Sequence, residues 1–211
     1  MNIPFIFRGL AVGFTIAATV GPISLLTAQR TLLRGWRYGW VSGLGVALAD
    51  ALYGFIGGLG LTVVTDFFVN QQTWLRLVGG AVLVFTGLRI AFRSREAKPA
   101  EERPQGGAGY LGAFTSIFFL TLSNPMTILL FAAVYTGMGM DGIPGGWTRA
   151  GLFGLGIFAG SAAWWLMLTG GVNLLRSRFR PAMLGWINRV TGAAIAGFGA
   201  WILIKLAQGV R

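Results

Sequence analysis

The 211-residue chain is 55% hydrophobic and only 11% charged, against about 25% charged in a soluble domain, which predicts an integral membrane protein. Its 17 basic and 6 acidic residues give a net charge of +11, but they lie between apolar runs, which favours loops facing anionic lipid over nucleic-acid binding. Without cysteine or histidine the chain cannot form a serine–histidine triad, lacks the usual ligands of zinc, haem and iron–sulfur clusters, and predicts neither metal nor cofactor.

Apolar runs predict an all-α membrane protein with six transmembrane helices. The first and fourth runs each contain a proline, at Gly21-Pro22 and Asn124-Pro125. Because proline removes a backbone donor and pushes the preceding residue out of the helical region, we expect both helices to break there. Backbone groups freed at membrane depth must face protein or a watery cavity. The predicted spans are residues 4–30, 38–65, 72–93, 110–138, 149–173 and 183–207.

The two halves of the chain resemble each other on either side of a polar stretch. Three helices per half would cross the membrane in opposite senses, so we expect two inverted three-helix repeats, residues 1–93 and 110–211, joined by a linker, 94–109. Chance similarity between glycine-rich spans is the alternative. Residues that recur 112 positions later are Trp74, Val78, Gly80, Ala81 and Gly87, which match Trp186, Val190, Gly192, Ala193 and Gly199.

Basic residues are concentrated in the odd-numbered connections between the predicted spans. These connections carry 11 lysine and arginine residues, against 5 on the other side. The positive-inside rule therefore predicts that the odd connections are cytoplasmic and that both termini lie outside. If one broken segment were re-entrant rather than spanning, one terminus would change side.

Asp50 is the strongest candidate functional residue, because it lies about 18 Å along the second predicted span, near the bilayer midplane. It could carry a proton or hold a substrate ammonium; the structural alternative is a carboxylate that pairs with Arg189 or caps a broken helix. Arg189 could instead bind a substrate carboxylate or extend to the interface. A half-helix that begins at a break suits an anionic group at its N-terminus. Further candidates around the breaks are Thr19, Gly21, Pro22, Ser24, Gln29, Tyr53, Ser123, Asn124, Pro125 and Trp164.

These motifs resemble the LysE/RhtB family of amino-acid exporters over nearly the whole chain. The resemblance rests on Gly21-Pro22, residues 29–35 (QRTLLRG), 43–45 and 49–51 around Asp50, 122–125 (LSNP) and 188–192 (NRVTG). It implies proton-driven efflux of small amino acids or related metabolites across the bacterial inner membrane, often by a homodimer. The family's membrane aspartate and two proline motifs correspond to Asp50, Gly21-Pro22 and Asn124-Pro125.

Two departures from the family's pattern bear on the substrate. The basic-amino-acid branch typically has an aspartate shortly after its Asn-Pro, where this chain has Leu129-Leu130. The neutral branch often has lysine directly after Asn-Pro, where this chain has Met126. A neutral amino acid is the favoured substrate, because one carboxylate would otherwise have to serve two cationic groups.

The functional expectation is secondary-active, proton-coupled efflux by alternating access. A divalent-cation exporter is an alternative, disfavoured because hard cations want several oxygen ligands and only one acidic residue lies at the midplane. A membrane enzyme is disfavoured because paired intramembrane carboxylates and a nucleophile–base pair are both missing. A non-transport scaffold would have no need of Asp50.

Overall fold

The computed structural model describes residues 3–19, 21–59, 72–92, 107–137, 146–176 and 181–208. These residues are almost entirely helical and contain no strand. Most of the predicted linker and the end of the second predicted span lie outside the described residues. The described helices are α1 (Ile3–Ala17), α2 (Pro22–Arg34), α3 (Trp36–Gly58), α4 (Gln72–Ala91), α5 (Gly107–Leu122), α6 (Pro125–Gly137), α7 (Gly146–Arg176) and α8 (Pro181–Ala207).

Three of the helices are long and apolar enough to cross a membrane, namely α3, α7 and α8. The number rises to five if α1 with α2, and α5 with α6, are each one bent span. The two pairs bend by 80° and 64°. Helix α4 has 20 residues and is therefore about 30 Å long at 1.5 Å per residue, but its role as a sixth span stays a prediction.

Both helix breaks lie where the proline motifs predict them. Helix α1 ends at Ala17, and α2 begins at Pro22 after Gly21, whose backbone is extended with φ −146° and ψ −174°. Proline suits the first turn of a helix, because its missing N–H would have no intrahelical acceptor there. Helix α5 ends at Leu122, and α6 begins at Pro125 for the same reason.

Helices α3 and α7 form the centre of the bundle and run antiparallel, since Gly43 packs on Trp165 while Gly54 packs on Ile157. Helix α1 lies along α7, α5 lies along α3, and α4 pairs with α8. Helix α2 packs on α3, α7 and α8. The two helix breaks both lie next to the central α3–α7 pair.

Glycines allow the helix backbones to approach closely. A Cβ atom on Gly192 of α8 would lie 2.6 Å from the carbonyl oxygen of Gly87 on α4, and one on Gly199 would lie 2.7 Å from that of Gly80. Gly156 on α7 packs directly against the α1 backbone. Small residues at such crossings are the usual means of packing membrane helices. The glycines at these crossings therefore serve packing within the chain.

Candidate functional site

A cavity of about 200 Å³ lies where the N-termini of α2 and α6 approach the middle of α3. Its lining is mainly apolar, and among the described residues Asp50 is the only ionisable one in it. The cavity is well below the roughly 300–1,000 Å³ typical of pockets for drug-sized ligands, so it suits a small solute. The lining residues are Ile16, Ala17, Thr19, Gly21, Pro22, Ile23, Ser24, Val46, Asp50, Asn124, Met126, Thr127, Leu130, Trp165 and Phe198.

Asp50 is buried in α3 with only 2% of its surface exposed. It is the only acidic residue within the described ranges. One carboxylate oxygen, Oδ2, accepts a hydrogen bond of 2.8 Å from the Ser161 hydroxyl of α7, which is itself fully buried. Arg189 is exposed on α8, and no ion pair links it to Asp50 in this part of the chain. Ser161 is therefore the observed polar partner of the carboxylate.

The first break leaves the N-terminus of α2 uncapped. The Thr19 hydroxyl donates to the Ile16 carbonyl at 2.7 Å, and the Ser24 hydroxyl donates to the Thr19 carbonyl at 3.2 Å. Both hydroxyls thus satisfy carbonyls that the break frees. Gly21 has no side chain to cap the helix, and the first intrahelical bond runs from the Leu25 amide. The amides of Ile23 and Ser24 therefore have no intrahelical acceptor, and both residues line the cavity.

The second break satisfies its own backbone groups. The Asn124 side chain accepts a hydrogen bond from the Met126 amide at 3.2 Å and donates one to the Thr127 hydroxyl at 3.1 Å. This is an N-cap for α6. The Leu122 carbonyl, which the break deprives of its helical donor, accepts a 2.6 Å hydrogen bond from the Tyr53 hydroxyl of α3. The N-terminus of α6 is thus already occupied by protein groups, unlike that of α2.

The structure brings six of the twelve candidate residues to the cavity wall: Thr19, Gly21, Pro22, Ser24, Asp50 and Asn124. Ser123 and Pro125 flank Asn124 in the chain at this break, and Ser123 is not part of the cavity wall. Tyr53 supports the break from outside the cavity and stacks on Phe131, with ring centroids 5.5 Å apart.

Three candidates lie elsewhere. Gln29 is buried away from this cavity, where its side-chain amide donates to the side-chain oxygen Oδ1 of Asn188 at 2.9 Å and links α2 to α8. Trp164 packs edge-to-face on Phe14, with ring centroids 5.4 Å apart. Arg189 is exposed on α8.

The sequence did not predict Ser161 or Phe198 at the site, and on α7 it is Trp165 rather than its neighbour Trp164 that lines the cavity. Residues 45–53 (GVALADALY) align with residues 156–164 (GIFAGSAAW), and this alignment pairs Asp50 with Ser161. This alignment is the sequence signal that points to Ser161. Trp165 follows a candidate by one position, whereas Phe198 carries no distinguishing sequence feature.

A buried carboxylate and two interrupted helices around a small cavity are features that transporters use to build a binding site. The chain matches the LysE type translocator family over residues 14–206, and it belongs to that family. Members of this family are transporters rather than enzymes, so the chain is a multi-pass membrane transporter and not an enzyme.

Named relatives agree with this class. The chain is 28% identical to the threonine efflux protein of Salmonella typhi, over 88% of this chain and 90% of that protein. It is 27% identical to Bacillus subtilis YcgF, provisionally named an amino acid efflux protein, over 90% of each. It is also 28% identical to the uncharacterized membrane protein YahN of Escherichia coli, over 95% of this chain and 89% of that protein. No solved structure matches the chain at a significant level.

Proposed function

We propose that this transporter exports small neutral amino acids across the bacterial cytoplasmic membrane by proton-coupled alternating access. The observation that carries the proposal is a small cavity whose wall holds two complementary groups. They are the buried carboxylate of Asp50 and the uncapped N-terminus of α2. A zwitterionic amino acid has the opposite charges, an ammonium and a carboxylate, close together.

The substrate carboxylate would bind at the N-terminus of α2. The free amides of Ile23 and Ser24 and the positive end of the helix dipole both favour an anion there. Helix α6 is the weaker choice, because Asn124 already accepts the Met126 amide. The sequence left both broken helices open as the carboxylate site, and the difference in capping favours α2.

The substrate ammonium would bind at Asp50, where the same carboxylate also takes up the coupling proton. A protonated carboxyl group cannot form the ion pair, so proton entry from outside would release the amino acid outward. Loss of the proton to the cytoplasm would restore the carboxylate for the next substrate. The Ser161 hydroxyl would hold the carboxylate in a fixed orientation through this cycle.

A single carboxylate also bears on the substrate class. A lysine or arginine substrate brings a second cationic group, and the rest of the wall offers apolar side chains and neutral hydroxyl or amide groups. Leaving that second charge unpaired in an apolar cavity is costly. The names of the threonine efflux relatives agree with a small, neutral substrate.

We also propose that the chain is two inverted three-helix repeats, residues 1–93 and 110–211, with six spans, cytoplasmic odd connections and both termini outside. If the halves are equivalent, α1 corresponds to α5 and α3 corresponds to α7. The packing of α1 on α7 then corresponds to that of α5 on α3, and both pairs are in contact. Gly80 corresponds to Gly192 and Gly87 corresponds to Gly199. The Gly80–Gly199 crossing therefore corresponds to the Gly192–Gly87 crossing, and both are observed. This symmetry supports rocking of the halves about the cavity as the transport motion.

The test is transport by the purified chain in proteoliposomes that carry an imposed proton gradient. The solutes are neutral, basic and acidic amino acids, with cadmium and manganese ions as a separate panel. We expect gradient-dependent movement of small neutral amino acids, with threonine among them. Movement of metal ions alone, or of no amino acid by protein that remains folded, would contradict the proposal.

A further inference from the structure

A second and larger cavity, of about 830 Å³, lies outside the proposed transport site. It lies between the C-terminal ends of α2 and α4, beside the start of α3. Arg30, Arg34 and Arg89 line it together with the aromatic rings of Tyr38, Phe85 and Phe92. Helices α2 and α4 both contribute to its wall but make at most slight contact with each other.

The three arginines differ in how they are held. Arg30 donates hydrogen bonds to Ser42, Ser116 and the Ala113 carbonyl, so its guanidinium is fixed in place. Arg34 donates to the Tyr38 hydroxyl at 2.6 Å, and its guanidinium lies 4.6 Å from the centre of that ring. Arg89 is exposed at the end of α4.

No carboxylate balances these charges within the described ranges. Asp50 is the only acidic residue there, and its hydrogen-bond partner is Ser161. Three guanidinium groups around one cavity favour a multivalent anionic group, and phosphate is a group that arginine binds in a two-pronged geometry. The described part of the chain thus supplies three cations and no anion at this cavity, which favours an anionic ligand.

Two exposed aromatic rings also line the cavity. Phe85 is 66% exposed and Phe92 is 80% exposed, and both lie on α4 beside Arg89. A soluble phosphate would gain nothing from these rings, whereas the acyl chains of a lipid would cover them. The arginines lie on the side of the chain that carries the excess of basic residues. The positive-inside rule assigns this side to the cytoplasm, where anionic lipids are concentrated.

We propose that this cavity binds the phosphate headgroup of an anionic phospholipid from the cytoplasmic leaflet, with the acyl chains lying along Phe85 and Phe92. Arg34 and Arg89 contact the phosphate, and Arg30 supplies a fixed third charge. The bound lipid bridges α2, an arm of the first broken helix, to α4. This site is separate from the amino-acid cavity, so it stands or falls independently of the transported solute.

The experiment measures lipid retention by the full-length purified chain, using native mass spectrometry. The probes are phosphatidylglycerol and phosphatidylcholine with identical acyl chains, and glycerol 3-phosphate as a phosphate without chains. The variants are Arg34→Gln and Arg89→Gln, because both residues are exposed and either change should leave the fold intact. The matched control is Arg37→Gln, since Arg37 is exposed on the same side but does not line the cavity.

We expect the native chain to retain phosphatidylglycerol over phosphatidylcholine, and each cavity variant to lower that retention by about fivefold. Arg37→Gln should retain the lipid as the native chain does. Three results would overturn the proposal. They are equal retention of the two lipids, an equal loss in Arg37→Gln, or full displacement of the lipid by millimolar glycerol 3-phosphate, which would make the site one for a soluble anion.

Discussion

Replacing Gly21 with aspartate tests whether the N-terminus of α2 binds the substrate carboxylate. Gly21 is the N-cap residue, its backbone is in the extended region that N-cap residues adopt, and a Cβ atom added to it meets no atom within 4 Å. An aspartate there can accept hydrogen bonds from the free amides of the first turn. It would therefore occupy the position that we assign to the substrate carboxylate.

The two expected effects have opposite signs. Capping by aspartate instead of glycine should stabilise the protein slightly, by a few tenths of a kcal/mol. In this variant the substrate carboxylate would lose its hydrogen bonds to the free amides of α2. A hydrogen bond between a charged and a neutral group is worth roughly 1.5–3 kcal/mol. At about 1.4 kcal/mol per factor of ten, substrate binding should weaken by about 10- to 150-fold.

The assay combines thermal unfolding in detergent with the Kd for threonine and its rate of transport in proteoliposomes. The control is Gly21→Ala, which adds a Cβ atom in the same open space but no hydrogen-bond acceptor. Gly21→Ala should bind and transport close to the native level. Native-like binding by a folded Gly21→Asp variant, or an equal loss in both variants, would refute the assignment of the carboxylate to α2.

Two further predictions concern the structure around the site. Tyr53→Phe keeps the ring but leaves the Leu122 carbonyl without the hydroxyl donor. We expect the unfolding free energy to fall by about 1–3 kcal/mol and transport to become slower. The control Tyr110→Phe should change neither. Gly192→Ala forces α8 away from α4 and should lower the unfolding free energy by about 1–3 kcal/mol. The control Gly197→Ala lies on the same helix with no atom within 4 Å of its Cβ, and an equal loss there would contradict the proposed packing.

Local chemistry explains why the sequence predicted the helix breaks well. The effect of proline on its own helix does not depend on the rest of the chain, so Gly21-Pro22 and Asn124-Pro125 fixed the ends of four helices. Asp50 was also predictable, because a charge in an apolar run is costly wherever the helix faces. The predicted end of the second span, at residue 65, stays a prediction. Helix α3 ends at Gly58, and the described residues stop at Leu59.

The rest of the site could not be predicted, because the sequence alone does not give the rotation of each helix about its axis or its depth in the bundle. Gln29 was predicted near the first break, but it lies about 10 Å further along α2 and faces Asn188 instead. Trp164 and Trp165 are neighbours about 100° apart around α7, and only packing determines which of them faces the cavity. Phe198 could not be identified, because it is one of many apolar residues in its helix and its role depends on contacts distant in sequence.

The central claim is that one buried carboxylate serves both the coupling proton and the substrate. Its most direct test is Asp50→Asn in proteoliposomes with and without an imposed proton gradient, beside a control change, Asp66→Asn, at a predicted span end. We expect Asp66→Asn to behave as the native chain does, and Asp50→Asn to lose gradient-driven amino-acid efflux while remaining folded. Unchanged, gradient-dependent efflux by Asp50→Asn would contradict the mechanism.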